Sequence, residues 1–125
     1  MKAFRKNRRP GNRAMTVAQR AHVDRVKSIG CVCCDMMGYP HEDGAPLAEA
    51  DHQLSGGIRI GHDDVIPLCE WHHRARLIVN GWNHKQHRIH LGPSKAEGTK
   101  PFYACFGSKE RLEAHRDQML ARAAA

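Results

Sequence analysis

The chain has 125 residues and a formal net charge of +7, and its length allows one domain rather than two. No apolar run approaches the roughly 18 residues of a transmembrane helix, and the basic N-terminus lacks the apolar stretch of a secretory signal. We therefore expect a cytosolic protein, in which thiols stay reduced and the five cysteines serve as metal ligands rather than disulfides.

The positive charge is concentrated at the N-terminus. Residues 1–20 hold seven Lys and Arg and no acid, whereas residues 21–125 hold 13 bases and 13 acids. We interpret residues 1–15 as a flexible basic arm and residues 16–125 as a single domain. The arm would bind phosphates without reading sequence and with a steep dependence on salt. Its predicted nucleic-acid contacts are Lys2, Arg5, Lys6, Arg8, Arg9 and Arg13.

The first half of the domain is predicted to hold one helix and a pair of strands. Thr16 and Gln19 form a capping box for a helix over 17–29, which Gly30 ends. Glycine and proline in residues 35–48 indicate a loop or a loose hairpin. A strand over 48–54 then turns at Gly56-Gly57 and returns over 58–60.

The second half is predicted to be mainly helical. A helix over 67–79 is plausible, with Pro67 early in it and Asn80-Gly81 ending it. Residues 81–100 are polar and indicate a long surface segment. Ser108 can cap a last helix over 109–122, whose inner face carries Leu112, Met119 and Leu120.

Two short cysteine and histidine pairs predict a structural zinc site. Cys31 and Cys34 form one C-x2-C pair, and Cys69 and His72 have the same spacing. Tetrahedral zinc takes four sulfur or nitrogen ligands, commonly as two such pairs. Such a site contributes on the order of 10 kcal/mol to folding, which would compensate for a core poor in aromatic residues.

Other interpretations of these residues stay open. The cysteines could be small buried hydrophobic residues, as free cysteines often are. Cys33 could replace Cys31 or Cys34 as a ligand, and His73 could replace His72.

The wider pattern resembles a known nuclease family. The run C-x2-C … D-H … G-G … D-x2-P-L-C-x2-H-H, from Cys31 to His73, is similar to the zinc-supported HNH nucleases. R-V-K-S-I-G-C-V-C-C, I-P-L-C-E-W-H-H-R and a late F-x3-F-G-S narrow the resemblance to phage recombination-enhancement (Ref-type) nucleases. That family acts on DNA held by RecA filaments. The resemblance implies an α+β fold, namely a small zinc-supported ββα-metal domain with flanking N- and C-terminal helices and a disordered basic N-terminal arm.

The resemblance also implies roles for individual residues. His52 would be the general base that takes a proton from the attacking water. Asp51 and His73 would hold one catalytic Mg²⁺ or Mn²⁺. Asp64 stands where the family has Asn at the start of the helix, and would fix the loop or help to hold the ion. The simpler alternatives are a surface or core histidine at position 52 and a helix N-cap at position 64.

The residues themselves place two conditions on this site. Neighbours on a strand point to opposite faces, so Asp51 and His52 can share a site only if the strand ends or bends there. His72 and His73 lie about 100° apart on a helix, so they can serve two different metals.

His84, His87 and His90 would form a stripe on a helix, offering a third ligand or a phosphate contact, or would lie in a solvated loop. Arg74 and Arg76 flank the site and would follow the DNA strand, or would be solubilising surface charges.

Three functions are compatible with these features. The leading hypothesis is a metal-dependent DNA endonuclease with a structural zinc, little sequence specificity, no membrane association and RecA filaments as a further partner. The resemblance implies a bacterial cytoplasm as its location and a phage or prophage as its source. The alternatives are a non-catalytic zinc-supported DNA-binding module and a structural partner-binding domain. The presence of Asp51, His52 and His73 together favours the nuclease.

Overall fold

The computed structural model of the chain describes residues 14–39, 48–52, 54–55, 58–59 and 64–125. Three predictions lie wholly or partly outside these residues. They are residues 40–47 of the predicted loop, the turn at Gly56-Gly57, and the arm contacts Lys2, Arg5, Lys6, Arg8, Arg9 and Arg13.

Helix α1 spans Val17–Ser28 and begins as the sequence predicts. The Thr16 hydroxyl accepts the backbone N–H of Gln19, and the Gln19 side chain accepts the N–H of Thr16. The helix buries Val23 and Val26 against Val65 of a later strand. This contact fixes α1 on one face of the hairpin described below.

Helix α2 spans Val32–Met37 and carries the first cysteine pair. Cys31 precedes the helix as its N-cap, and Gly38 ends it in the left-handed conformation, with φ of 64°. The prediction of a loop from residue 35 was therefore wrong for residues 35–37. These residues continue the helix that begins at Val32, because the left-handed residue that ends the helix is Gly38.

A two-stranded antiparallel hairpin lies at the centre of the fold. Strand β1, Ala48–His52, pairs with β4, Val65–Cys69, in the register Ala48↔Cys69 to His52↔Val65. Between them, β2 (Leu54–Ser55) pairs with β3 (Ile58–Arg59) as a separate short ladder. The predicted return strand is confirmed at Leu54, which pairs with Arg59, whereas residues 48–52 pair with β4, a partner that the sequence did not predict.

The predicted helix over 67–79 was wrong in its first part. Residues Val65–Cys69 form β4, which is buried along its whole length, and helix α3 spans only Glu70–Arg74. The apolar run at 65–68 is compatible with a buried strand as well as with a helix. Pro67 is tolerated because each strand of a two-stranded sheet has an unpaired edge. Helix α3 ends early at Ala75, which has a left-handed φ of 59°.

The predicted surface segment 81–100 contains regular structure. Helix α4 spans His84–Leu91 and is capped by a box of Asn83 and Gln86, and a 3₁₀ turn follows at Lys95–Glu97. Helix α5 spans Thr99–Phe106, and α6 spans Lys109–Ala124 from the predicted cap Ser108. In α6, Leu112 and Met119 are buried, as predicted for its inner face.

The main core joins these helices to the hairpin. It contains the cysteines of the first pair, Ile66 and Leu68 of β4, Trp71 of α3, and side chains of the last three helices, namely Leu91, Phe102, Phe106, Leu112 and Met119. The fold is thus small and α+β, as predicted. Within the described ranges, no helix is long and apolar enough to cross a bilayer.

Candidate metal and catalytic sites

Four predicted ligands converge at one buried point. Cys31 and Cys34 come from the start of α2, Cys69 from the end of β4, and His72 from α3. Their ligand atoms all lie within 4.8 Å of one another, and all four residues are buried. This cluster could hold zinc.

The separations within the cluster fit a tetrahedral ion. The sulfurs of Cys34 and Cys69 are 3.8 Å apart, and His72 Nδ1 lies 3.4, 3.6 and 3.2 Å from Cys31, Cys34 and Cys69. Bonds of about 2.3 Å to sulfur and 2.0–2.1 Å to nitrogen give tetrahedral edges of about 3.8 Å and about 3.6 Å. The four donors therefore match zinc in number, chemistry and spacing.

The backbone at the end of α4 fixes the orientation of the His72 ring. Its Nε2–H donates to Leu91 O at 2.6 Å, so Nδ1 is the nitrogen that faces the sulfurs. Trp71 Nε1–H donates to Gly92 O at 2.9 Å, and the Ser94 hydroxyl donates to His72 O at 3.4 Å. Such outer hydrogen bonds orient a ligating histidine and raise its basicity.

The electrostatics of the cluster also favour a cation. Burial raises the pKa of the Cys31 thiol, but hydrogen bonds from its neighbours bring it well below the ordinary value. Burial lowers the pKa of His72, but contacts with Cys31 and Cys69 raise it to about 10. Hydrogen bonds with Cys31 and Cys69 raise the pKa of Cys34. The pocket therefore stabilises positive charge next to thiolate, which is the charge arrangement of a metal site.

The neighbouring cysteines are not part of this cluster. Cys33 is fully buried in the core, and burial raises its pKa well above the ordinary value. Cys105 is exposed on α5. Of the ligand sets that the sequence left open, the structure brings together the set with the common spacing, namely Cys31, Cys34, Cys69 and His72.

A second polar cluster lies on the other side of α3, around His73. Glu49 and Asp51, two residues apart on β1, face the imidazole from the same side of the strand. His73 Nδ1 is 2.9 Å from Glu49 Oε1, and its Nε2 is 3.5 Å from Asp51 Oδ1. Arg74 Nε donates to the same Glu49 oxygen at 2.9 Å, and Lys95 Nζ donates to Asp51 Oδ2 at 2.6 Å.

Charges in this second cluster stabilise one another. Partial burial raises the pKa of Glu49, but His73 and Arg74 together bring it below the ordinary value. Burial lowers the pKa of the Lys95 ammonium, but Asp51 and then Tyr103 bring it above the ordinary value. Glu49 is therefore an anion and Lys95 a cation at neutral pH.

The sequence did not single out Glu49 or Lys95. Glu49 lies two residues before Asp51, and that period-two spacing on a predicted strand was a usable signal. Lys95 is 44 residues from its partner Asp51 and had no such signal.

His52 and Asp64 lie at the connected end of the β1–β4 hairpin, where the chain leaves β1 and enters β4. His52 is the last residue of β1 and is partly exposed. Asp64 immediately precedes Val65, the partner of His52, and is also partly exposed. The prediction that Asp64 starts or caps the helix was wrong, because β4 separates it from α3. It instead adjoins the strand end that carries His52.

The three spaced histidines of α4 have other partners. His87 is buried and its Nε2 accepts the backbone N–H groups of Ile78 and Val79 at 2.9 and 3.1 Å. His84 pairs with Glu97 at 2.8 Å. His90 stacks on Trp82 with ring centroids 4.4 Å apart. The interpretation of this stretch as a solvated loop was wrong, because His87 anchors α4 to the segment after α3.

The two arginines predicted to follow DNA differ in their contacts. Arg74 is 52% exposed and pairs with Glu49 beside the second cluster. Arg76 is 62% exposed and lies 3.8 Å from Glu70. Both guanidinium groups are accessible, and Arg74 shares the Glu49 oxygen with His73.

These features define a small α+β protein in which a buried Cys3His cluster supports a strand–strand–helix unit with an acidic and histidine cluster on its surface. A family model described as recombination enhancement, RecA-dependent nuclease matches residues 15–121. The chain belongs to that family, which makes it a nuclease of recombination. A search of curated proteins gave no match.

Proposed function

We propose that the protein is a metal-dependent DNA endonuclease of the HNH type with a structural zinc at Cys31, Cys34, Cys69 and His72. The observation that carries this proposal is the position of His73 between Glu49 and Asp51 on a strand–strand–helix unit. The reaction is hydrolysis of a phosphodiester bond in DNA.

The contacts of His73 support a divalent ion between it and Asp51. Its Nδ1–H donates to Glu49, so Nε2 in the neutral imidazole presents a lone pair to Asp51 Oδ1. Two electron-pair donors that face each other 3.5 Å apart are a favourable pair of ligands for a cation. Asp51 and His73 would hold this ion as one carboxylate and one imidazole ligand. Glu49 has the role of the outer carboxylate that orients a ligating histidine.

The bound ion would supply Lewis-acid stabilisation of the charge that develops on the phosphate and the leaving oxygen. His52 takes the proton of the attacking water, whose oxygen forms the new bond to phosphorus as the bond to the leaving oxygen breaks. Solvent supplies the proton of the leaving group. Asp64, which precedes the strand partner of His52, would fix the loop at this end of the hairpin or help to hold the ion.

DNA binding would use two regions. The arm cations Lys2, Arg5, Lys6, Arg8, Arg9 and Arg13 would neutralise phosphates without base contacts. Arg74 and Arg76 would hold the strand beside His73. Because the family is RecA-dependent, we propose DNA within a RecA filament as the substrate, in a bacterial cytoplasm and with a phage or prophage origin.

A non-catalytic zinc-supported DNA-binding module is the second candidate. The observation that favours it is Asp64 in place of the family Asn, which adds a negative charge where a phosphate would approach. A binding module of this kind would keep zinc and DNA affinity but would not cleave.

A nuclease assay on RecA-coated single-stranded DNA, with Mg²⁺ or Mn²⁺, separates the two candidates. His52→Ala should slow cleavage by about 10²–10⁴-fold, the usual contribution of a general base. His90→Ala, which changes an exposed histidine on α4, is the matched control and should cleave at the wild-type rate. Equal cleavage by His52→Ala and wild type would refute the general-base assignment, and no cleavage by the wild type would favour the binding module.

A further inference from the structure

Lys95 occupies a fixed position against the proposed ion ligand Asp51. Its ammonium donates to Asp51 Oδ2 at 2.6 Å, and only 17% of its side chain is exposed. The same ammonium lies 5.8 Å from the centre of the Tyr103 ring. The lysine therefore has little freedom to move away from the carboxylate.

The turn that carries Lys95 is anchored to helix α3, which carries His72. The preceding Ser94 is fully buried, and its hydroxyl donates to His72 O and accepts the backbone N–H of Ala96. Two hydrogen bonds therefore connect the backbone of α3 to the turn at Lys95–Glu97. This connection sets the distance between Lys95 and the cluster around His73.

The two oxygens of Asp51 consequently have different partners. Oδ2 accepts from Lys95, whereas Oδ1 faces His73 Nε2. We propose that Lys95 is a positioning residue that leaves Asp51 a single oxygen for the catalytic ion and thereby selects Mg²⁺ or Mn²⁺ over Ca²⁺. This inference rests on the proposed function, because it assigns the ion to Asp51 and His73.

The selectivity follows from the coordination habits of these ions. Ca²⁺ takes six to eight oxygen ligands and readily binds both oxygens of a carboxylate, whereas Mg²⁺ requires near-octahedral geometry with short bonds. An ammonium on Oδ2 blocks two-oxygen coordination by Asp51. Its positive charge lowers the affinity of the site for every divalent ion to a similar extent. The ratio of the Ca²⁺ affinity to the Mn²⁺ affinity therefore reports the selectivity better than either affinity alone.

Competition for Mn²⁺ tests this role without using activity. Free Mn²⁺ is measured by electron paramagnetic resonance on the zinc-loaded protein, and Ca²⁺ is then added as the competitor. In the wild type, Ca²⁺ should displace Mn²⁺ poorly. In Lys95→Met and Lys95→Ala, the ratio of the Ca²⁺ to the Mn²⁺ dissociation constant should fall about tenfold, within the usual effect of an outer-shell contact.

Two controls separate this effect from a general change of charge or fold. Lys100→Met removes an equal charge from an exposed site on α5 and should leave the ratio unchanged. Lys95→Arg keeps a cationic donor for Oδ2 and should retain most of the wild-type selectivity. Zinc content and far-UV circular dichroism confirm that each variant is folded.

The possible failures are distinguishable. If the wild type binds no Mn²⁺, or if Asp51→Asn binds as much Mn²⁺ as the wild type, the proposed ion site is wrong and this inference fails with it. If Asp51-dependent Mn²⁺ binding is present but Lys95→Met and Lys95→Ala keep the wild-type ratio, the ion site stands and the role of Lys95 is refuted.

Discussion

Adjacent buried cysteines provide the sharpest test of the proposed zinc site. Cys34 lies within the ligand cluster, whereas Cys33 is equally buried in the core but outside it. Cys34→Ala removes one of four ligands from a site worth about 10 kcal/mol or more of folding free energy. The whole stability of a domain is about 5–15 kcal/mol, so this variant should not fold stably. Cys33→Ala removes a single sulfur atom and should cost about 1 kcal/mol.

Metal analysis and urea unfolding measure the difference. Wild type and Cys33→Ala should each bind one zinc per chain and unfold cooperatively, with a modestly lower midpoint for the variant. Cys34→Ala should bind no zinc tightly and lack the cooperative transition. A Cys34→Ala protein with stoichiometric zinc and a wild-type midpoint would refute the ligand set, and loss of zinc from Cys33→Ala alone would assign the ligand to the other cysteine.

Three further predictions concern packing, charge and the arm. Gly92→Ala combines a positive φ of 83° with a new Cβ 3.0 Å from the Phe106 ring, and should lower the free energy of unfolding by about 1–3 kcal/mol. The control is Gly81→Ala, whose φ is 91° but whose Cβ meets nothing within 4 Å, and it should lower the free energy of unfolding less. Equal urea midpoints for the two variants would contradict the packing contribution. Burial raises the pKa of Glu97, but His84 and Arg88 lower it below the ordinary 4.5, so its stabilisation is present above pH 4.5 and lost as pH falls through the depressed pKa. Glu97→Gln should therefore be less stable than wild type near neutral pH, by about 0.2–1 kcal/mol, and a difference that persists in acid would contradict this. Removal of residues 1–13, which keeps the Thr16 cap, should weaken DNA binding and reduce its log–log salt slope by about 0.9 per lost phosphate contact; an unchanged slope would show that the arm does not contact DNA.

Local signals in the sequence predicted the starts of α1 and α6 and the four residues of the Cys3His cluster. Thr16 with Gln19 and Ser108 cap helices through contacts within three residues, so tertiary structure has little influence on them. The cysteine and histidine spacing is likewise set by short turns. The same rule identifies Asn83 with Gln86 as a capping box. This box was not predicted from the sequence, because the polar composition of residues 81–100 indicated a surface segment.

Tertiary packing decided the features that the sequence could not give. The run at 65–68 has the same apolar character in a strand as in a helix, and pairing with β1 selects the strand. Lys95 meets Asp51 only because the turn at Ser94 is bonded to α3. His87 is buried because the backbone N–H groups of Ile78 and Val79 need an acceptor, and nothing in its own neighbourhood predicts that.

Helix α3 makes the two proposed metal sites depend on each other. It has only five residues, and a helix this short has little stability in isolation. Its buried side is fixed by His72 in the zinc cluster and by the bonds of Trp71 and His72 to the backbone at 91–92. The next residue, His73, faces Glu49 and Asp51 on the opposite side. In the proposed nuclease, the zinc would act on cleavage through the position of His73, and its loss should abolish binding of the second ion as well as the fold around it.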